Sequence, residues 1–139
     1  MNLYLGGFAE TDGGWGFANT WQIFLTMSQI SAAPGLGPAK CWLFIDMRED
    51  HVNWGNFMVD MTGYGQPLPQ TFYWNEDMPA FYHAGAAGLA FCDGHSEMHR
   101  WRDGQTLTPV TIGGYIMSVV SIPNGQDVPW MQERSTRRK

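Results

Sequence analysis

Two apolar, alternating runs meet at Asp93-Gly94: Leu89-Ala-Phe-Cys leads in, and His95-Ser-Glu-Met-His-Arg-Trp leads away. Asp-Gly between alternating runs is the strongest short-range hairpin signal. It favours a two-residue type I′ turn, whose twist matches that of the strands it joins. A chain holding this hairpin must build a sheet around it, because two strands alone are marginally stable in water.

The other strands are read from apolar runs between breakers. Residues 1–6 form a short strand, followed by a glycine-rich loop from Gly6 to Gly16. Residues 21–30 are strand or short helix. Cys41-Trp-Leu-Phe-Ile-Asp-Met is apolar on both faces up to Asp46, the mark of a central strand. Residues 56–61 form another strand, 62–79 a long loop, and the run from Gly113 to Ile122 a last strand before a Pro123-Asn-Gly turn. Seventeen glycines and eight prolines in 139 residues favour short strands over a helical bundle. The expected class is α+β, mainly antiparallel sheet with short helices and long loops.

Size and charge bound the rest. One domain, residues 1–133, accommodates the chain, and 44% hydrophobic residues suit a folded globule. Four of the eight basic residues fall in 134–139, which reads as a solvated, flexible basic tail. The remaining body holds four basic against thirteen acidic side chains, about −9. Such a body repels phosphate backbones, which argues against nucleic acid as a partner. No apolar run reaches eighteen residues and the opening lacks a signal-peptide pattern, so these residues are expected neither to contact a membrane nor to export themselves.

Two clusters carry chemistry. His83, Asp93 and His95 combine imidazole nitrogens and a carboxylate in the donor set of zinc or another transition metal. His99 lies about 13 Å along the strand from His95, too far for one ion to take both. The competing structural role is a clasp in which His83 bonds Asp93 or a nearby backbone group and pins the loop before the hairpin to its tip. Asp46, Glu49 and Asp50, at the end of the 41–47 run, supply oxygens suited to calcium, although the spacing is not that of an EF-hand loop. Cys41 and Cys92 each sit in an apolar run, where a free thiol acts as a small hydrophobe; a disulfide between them is the alternative. The usual catalytic motifs are absent from the sequence. Seven tryptophans fit core and loop anchors, with polysaccharide binding as the rival.

His83, nine residues, then Asp93-Gly94, in the setting Phe-Tyr-His-Ala-Gly-Ala-Ala-Gly-Leu-Ala-Phe-Cys-Asp-Gly-His, resembles the bacterial prepilin-type processing-associated His-x9-Asp-Gly domain. Trp42-Leu-Phe-Ile-Asp upstream and Pro123-Asn-Gly-Gln-Asp-Val-Pro-Trp downstream are similar to the family's flanking segments. Cys92 and His99 depart from its common pattern and leave room for a metal site private to this chain. The resemblance implies the globular part of a pseudopilin-like protein, a mainly antiparallel sheet expected here to lack the N-terminal hydrophobic helix that packs on it in the family. It also implies a periplasmic, cell-surface or extracellular location. Other pseudopilin or secretion-system subunits are the implied partners, with self-association through an uncovered apolar groove. It implies no reaction. The enzymatic rival is a metal-dependent hydrolase or oxidase acting on an extracellular polymer through His83, Asp93 and His95, with Glu97 or His99 near the reaction centre. A calcium-aided carbohydrate-binding module is the third reading.

Overall fold

A computed structural model describes residues 1–6 and 17–139. The glycine-rich stretch 7–16, including Trp15, lies outside the described residues. Among the described residues, five strands form two antiparallel sheets. β1 (Trp42–Ile45), β3 (Ala86–Phe91) and β4 (Ser96–Arg100) stand in the order β1-β3-β4, and β2 (Thr71–Asn75) pairs with β5 (Val119–Pro123). The helices are short: α1 (Phe17–Thr20), α2 (Met27–Ala32) and α3 (Asp127–Gln132). The expected α+β class with mainly antiparallel sheet is what the chain adopts.

Local chemistry explains the helix boundaries. Thr26 caps α2 and forms a reciprocal capping box with Gln29, whose side chain accepts from the Thr26 N–H at 3.0 Å. Pro34, just past the C-cap residue Ala33, bars continuation. At α3, Asp103 accepts from Gln126 and Asp127 N–H, both at 2.8 Å, while Asp127 accepts from Arg102 and Asp103 N–H. This exchange fixes the end of β4 against the start of α3.

The core lies between the two sheets. Trp42, Phe57, Trp74, Trp101 and Trp130 form a chain of edge-to-face contacts with successive centroids 5.8, 6.1, 6.1 and 6.4 Å apart. Trp42 and Trp74 are fully buried, and their indole N–H groups donate to Ser135 Oγ and Thr106 Oγ1. The tryptophans are thus chiefly core anchors, with Trp54 the exposed exception among those described.

Several expectations are corrected. The 41–47 run is not central: β1 is an outer strand of its sheet, and β3 takes the middle. Its edge away from β3 is closed by Asn2, whose N–H donates to Leu43 O, and by the Arg134 carbonyl, which accepts from Trp42 N–H, while Phe44 on its outer face stays exposed. Residues 1–6 and 56–61 make no regular strand, meeting in a bridge between Asn2 and Phe57. The 62–79 segment is not loop throughout, because β2 lies within it with Phe72 and Trp74 turned inward. The hairpin turn is not type I′. Gly94 N–H donates to Phe91 O and Gly94 alone has positive φ, 96°, a three-residue loop with a bulge at the glycine. Residues 135–138 are no free tail: Ser135 and Thr136 are buried, and Trp21 bridges Arg138.

Candidate interaction surface

The histidines do not converge. His83 precedes β3 and Asp93 follows it, so the six-residue strand separates them. His83 closes a turn of its own, exchanging backbone hydrogen bonds with Ala86 across Ala84 and Gly85, both at positive φ. Arg100 holds that turn by donating to Ala84 O at 2.8 and 3.2 Å. The expected His83–Asp93 clasp is replaced by two exposed pairs: His83 Nε2 lies 3.9 Å from Asp46 Oδ2, and His95 Nδ1 lies 2.6 Å from Asp93 Oδ1. Hydrogen bonding from the His95 ring and backbone N–H holds the Asp93 carboxyl below its usual range. Stacking on Phe91 at 4.3 Å fixes the His95 ring. Among the described residues no three His, Cys, Asp or Glu side chains are grouped to hold a metal ion.

The acidic cluster also divides. Asp50 is buried and makes a two-pronged pair with Arg48, at 2.9 and 2.7 Å, while Thr111 N–H donates to it. Asp46 points to the sheet, where its Oδ2 accepts from Gly88 N–H at 3.0 Å. Asp46 and Asp50 therefore have separate structural duties, and Glu49 opens a single 3-10 turn. Cys41 and Cys92 are adjacent free thiols, Cys92 N–H donating to Cys41 O at 2.9 Å. Burial, and then the Cys92 thiol, push the Cys41 thiol up, which makes it a poor nucleophile.

His99 has a packing role. Its ring stacks on Trp130 at 3.6 Å and meets the edge of Trp101 at 4.8 Å, and Arg134 covers Trp130 with its guanidinium 4.0 Å from the ring centre. Burial, helped by Arg134 and Arg102, lowers its pKa to about 4. The neutral form is thus the folded form at physiological pH. As pH falls from about 6.5 the unfolded chain takes up this proton first, so His99 weakens the fold progressively down to pH 4. In an NMR titration the His99 ring signals should remain those of neutral imidazole at pH 5.5; half-protonation near 6.5 would refute the packing account.

The surface with most apolar exposure on a regular element is the outer face of the three-stranded sheet. Side chains alternate along β3, so Ala87, Leu89 and Phe91 enter the core while Gly88 and Ala90 form an outer floor of small residues. Phe44, paired with Ala90, and Met98, paired with Gly88, rise on either side, 53% and 55% exposed. They bound a trough of about 440 Å³ that also borders Asp46 and Ser96. A Cβ at position 88 would come within 2.8 Å of Asp46 Oδ2, so a larger residue there would push the Asp46 carboxylate off the Gly88 N–H. These residues were missed as a site by sequence reading, although the small/large alternation over 86–91 carries the signal.

A larger cleft, about 490 Å³, is lined by Trp21, Met58, Asp60, Met61, Thr62, Asn75 and Glu76. Trp21 is 8% exposed and set edge-on against Tyr64, so it offers no open stacking platform, and Asp60 is engaged by Thr62 N–H and the Asn75 amide. No family model, curated protein or solved structure matches the chain.

Proposed function

We propose that this chain is the globular part of a pseudopilin-like protein and serves as a non-catalytic interaction domain in secretion or cell-surface assemblies. The observation that carries the reading is the bare trough between Phe44 and Met98, floored by Gly88 and Ala90 on a sheet whose opposite face is core. A floor of small residues between two large apolar walls fits the ridge of an apolar helix. The His83-x9-Asp93-Gly94 pattern and its flanks support the same reading, and the two histidine–carboxylate pairs then act as clasps at the two ends of β3. Helix and sheet would come together on the outer side of the inner membrane, with partners among pseudopilin or secretion-system subunits.

A synthetic Leu/Ala-rich helix of about 18 residues, long enough to span the sheet at 1.5 Å per residue, provides the test. Titration into isotope-labelled protein should shift the amide signals of Gly88, Ala90 and Met98 and leave those of Trp74 and Val128 in place. Phe44→Lys should weaken that binding at least about tenfold, by loss of one buried aromatic wall. Absence of shifts at millimolar peptide, or shifts confined to the cleft at Trp21, would reject the trough as the docking face.

A further inference from the structure

Among the described residues β4 is hydrogen-bonded on one side only. Trp101 N–H donates to Gly85 O and Phe91 N–H to His95 O, both at 2.9 Å, which sets the phase of the ladder. In that phase Glu97 and His99 address Leu89 and Ala87 of β3. The N–H and C=O groups of Ser96, Met98 and Arg100 therefore point away from the sheet, and among the described residues no backbone hydrogen bond reaches them. Neither proline nor bulge interrupts these five residues, and their pairing with β3 is regular. Natural edges are usually blunted by such devices or by a projecting charge. Here Arg100 is folded back onto Ala84 O.

We propose that β4 is the contact strand of a homodimer, pairing antiparallel with β4 of a second copy about a two-fold axis at Met98. The proposal rests on the interaction-domain reading but uses the strand edge, not the trough. This register places the outward groups of Ser96 against those of the partner's Arg100 and Met98 against the partner's Met98, so all three outward residues of each copy bond in about six N–H···O contacts. It sets Glu97 opposite the partner's His99 on the face that bears Trp130, a donor–acceptor match in both directions. Sliding by two residues one way brings Glu97 against Glu97, and the other way His99 against His99; each slide also shortens the ladder. Repulsion between the two Glu97 carboxylates disfavours the first slide, His99 facing His99 loses the Glu97 acceptor in the second, and the shorter ladder disfavours both, so one register is selected. The two sheets merge into one of six strands, and the two troughs meet at the Met98 side chains across the axis.

Sedimentation of the whole chain from micromolar to millimolar concentration, with amide exchange measured at both ends of the range, decides it. Dimer is expected to form, with the amides of Ser96, Met98 and Arg100 slowed at least about tenfold in step with the dimer fraction. Those of Glu97 and His99 should be protected throughout. Met98→Pro removes an N–H that β3 does not use, so a folded variant with dimerisation weakened at least about a hundredfold is expected. Exchange on the unaltered chain remains decisive should that variant not fold. A monomer at millimolar concentration, or a dimer whose Ser96 and Met98 amides still exchange freely, would overturn the proposal. So would an edge protected only after addition of a different strand-forming peptide. Helix uptake by the trough is read in the separate titration, so either idea can fail alone.

Discussion

Arg48→Met is expected to lower the free energy of unfolding by about 3–5 kcal/mol at neutral pH. The guanidinium is nearly inaccessible, its side chain 2% exposed, and every bond it makes is internal. Nε and Nη2 grip Asp50 at 2.9 and 2.7 Å, Nη1 donates to Thr108 O and Oγ1, Nη2 also donates to Pro109 O, and Phe81 lies under the cation at 5.6 Å. Asp50 in turn accepts from Thr111 N–H and gives its carbonyl to Ile116 N–H. The pair therefore ties the irregular segment 108–116 to the turn after β1. Methionine would fill the volume but leave the buried Asp50 carboxylate and the Thr108 and Pro109 carbonyls without their Arg48 donors.

The sign of the pH dependence follows. Burial alone would raise the Asp50 pKa, but Arg48 and the Thr111 N–H hold it below the usual range. Its stabilising contribution is present above the unfolded carboxylate value and disappears as pH falls through the lower folded value. In Arg48→Met the balance reverses and the carboxyl becomes easier to protonate, so the deficit should shrink below the carboxylate range. Arg48→Met/Asp50→Leu should recover most of the loss, less the Thr111 bond. Urea titrations read both variants; a loss under about 1 kcal/mol for the single substitution would show that water reaches the site and the pair is not sealed.

That pair shows how far local pattern reaches. The β3–β4 hairpin was legible because its information is local: alternation, an Asp-Gly pair and an aromatic stop at Trp101 all lie within thirteen residues. β2 was equally written in Thr-Phe-Tyr-Trp-Asn, with two inward aromatics at period two, but neighbouring prolines and glycines made the whole of 62–79 read as loop. The position of β1 was not legible, since the residue letters do not say whether a strand's second edge is paired by another strand or closed by crossing segments. Asn2 and Arg134 cover it here from opposite ends of the chain.

Site reading failed for a related reason. Spacing grouped Asp46, Glu49 and Asp50, yet one turn of 3-10 helix sends Asp50 inward to Arg48 while Asp46 stays with Gly88. His83 and Asp93 are close in sequence, but an intervening straight strand of six residues holds them apart. Partner identity was the missing information in both cases, because a carboxylate or imidazole has the same letter whether it binds metal, caps a strand or pairs with a cation.

Deleting residues 135–139 should destabilise the domain by about 3 kcal/mol or more, a fall in melting temperature of about 10 °C or more. The basic composition of this end suggests a solvated tail, for which removal would be neutral. Its two uncharged residues argue otherwise. Ser135 Oγ takes the Trp42 indole N–H at 2.9 Å, and its carbonyl takes the Asn2 amide at 3.2 Å; Ser135 and Thr136 are wholly buried. Thr136 Oγ1 donates to Gln22 O at 2.6 Å, and Arg137 O accepts from Gln22 N–H at 2.8 Å. Truncation would orphan the indole N–H in the middle of the core and strip both backbone partners from Gln22. Each orphaned buried group costs about 1–3 kcal/mol. The cations are compatible with this docking because their heads stay outside, Arg137 reaching Pro34 O and Arg138 lying 5.3 Å over the Trp21 ring. Deleting Lys139 alone, whose N–H bonds Thr20 O at the surface, should cost under about 1 kcal/mol. Equal stability of the full chain and the chain ending at Arg134, in calorimetry at matched pH, would return this end to the status of a tail. The expected steep step between the two deletions instead makes Ser135 and Thr136 the closing strap that holds Asn2, β1 and the Trp21 segment together.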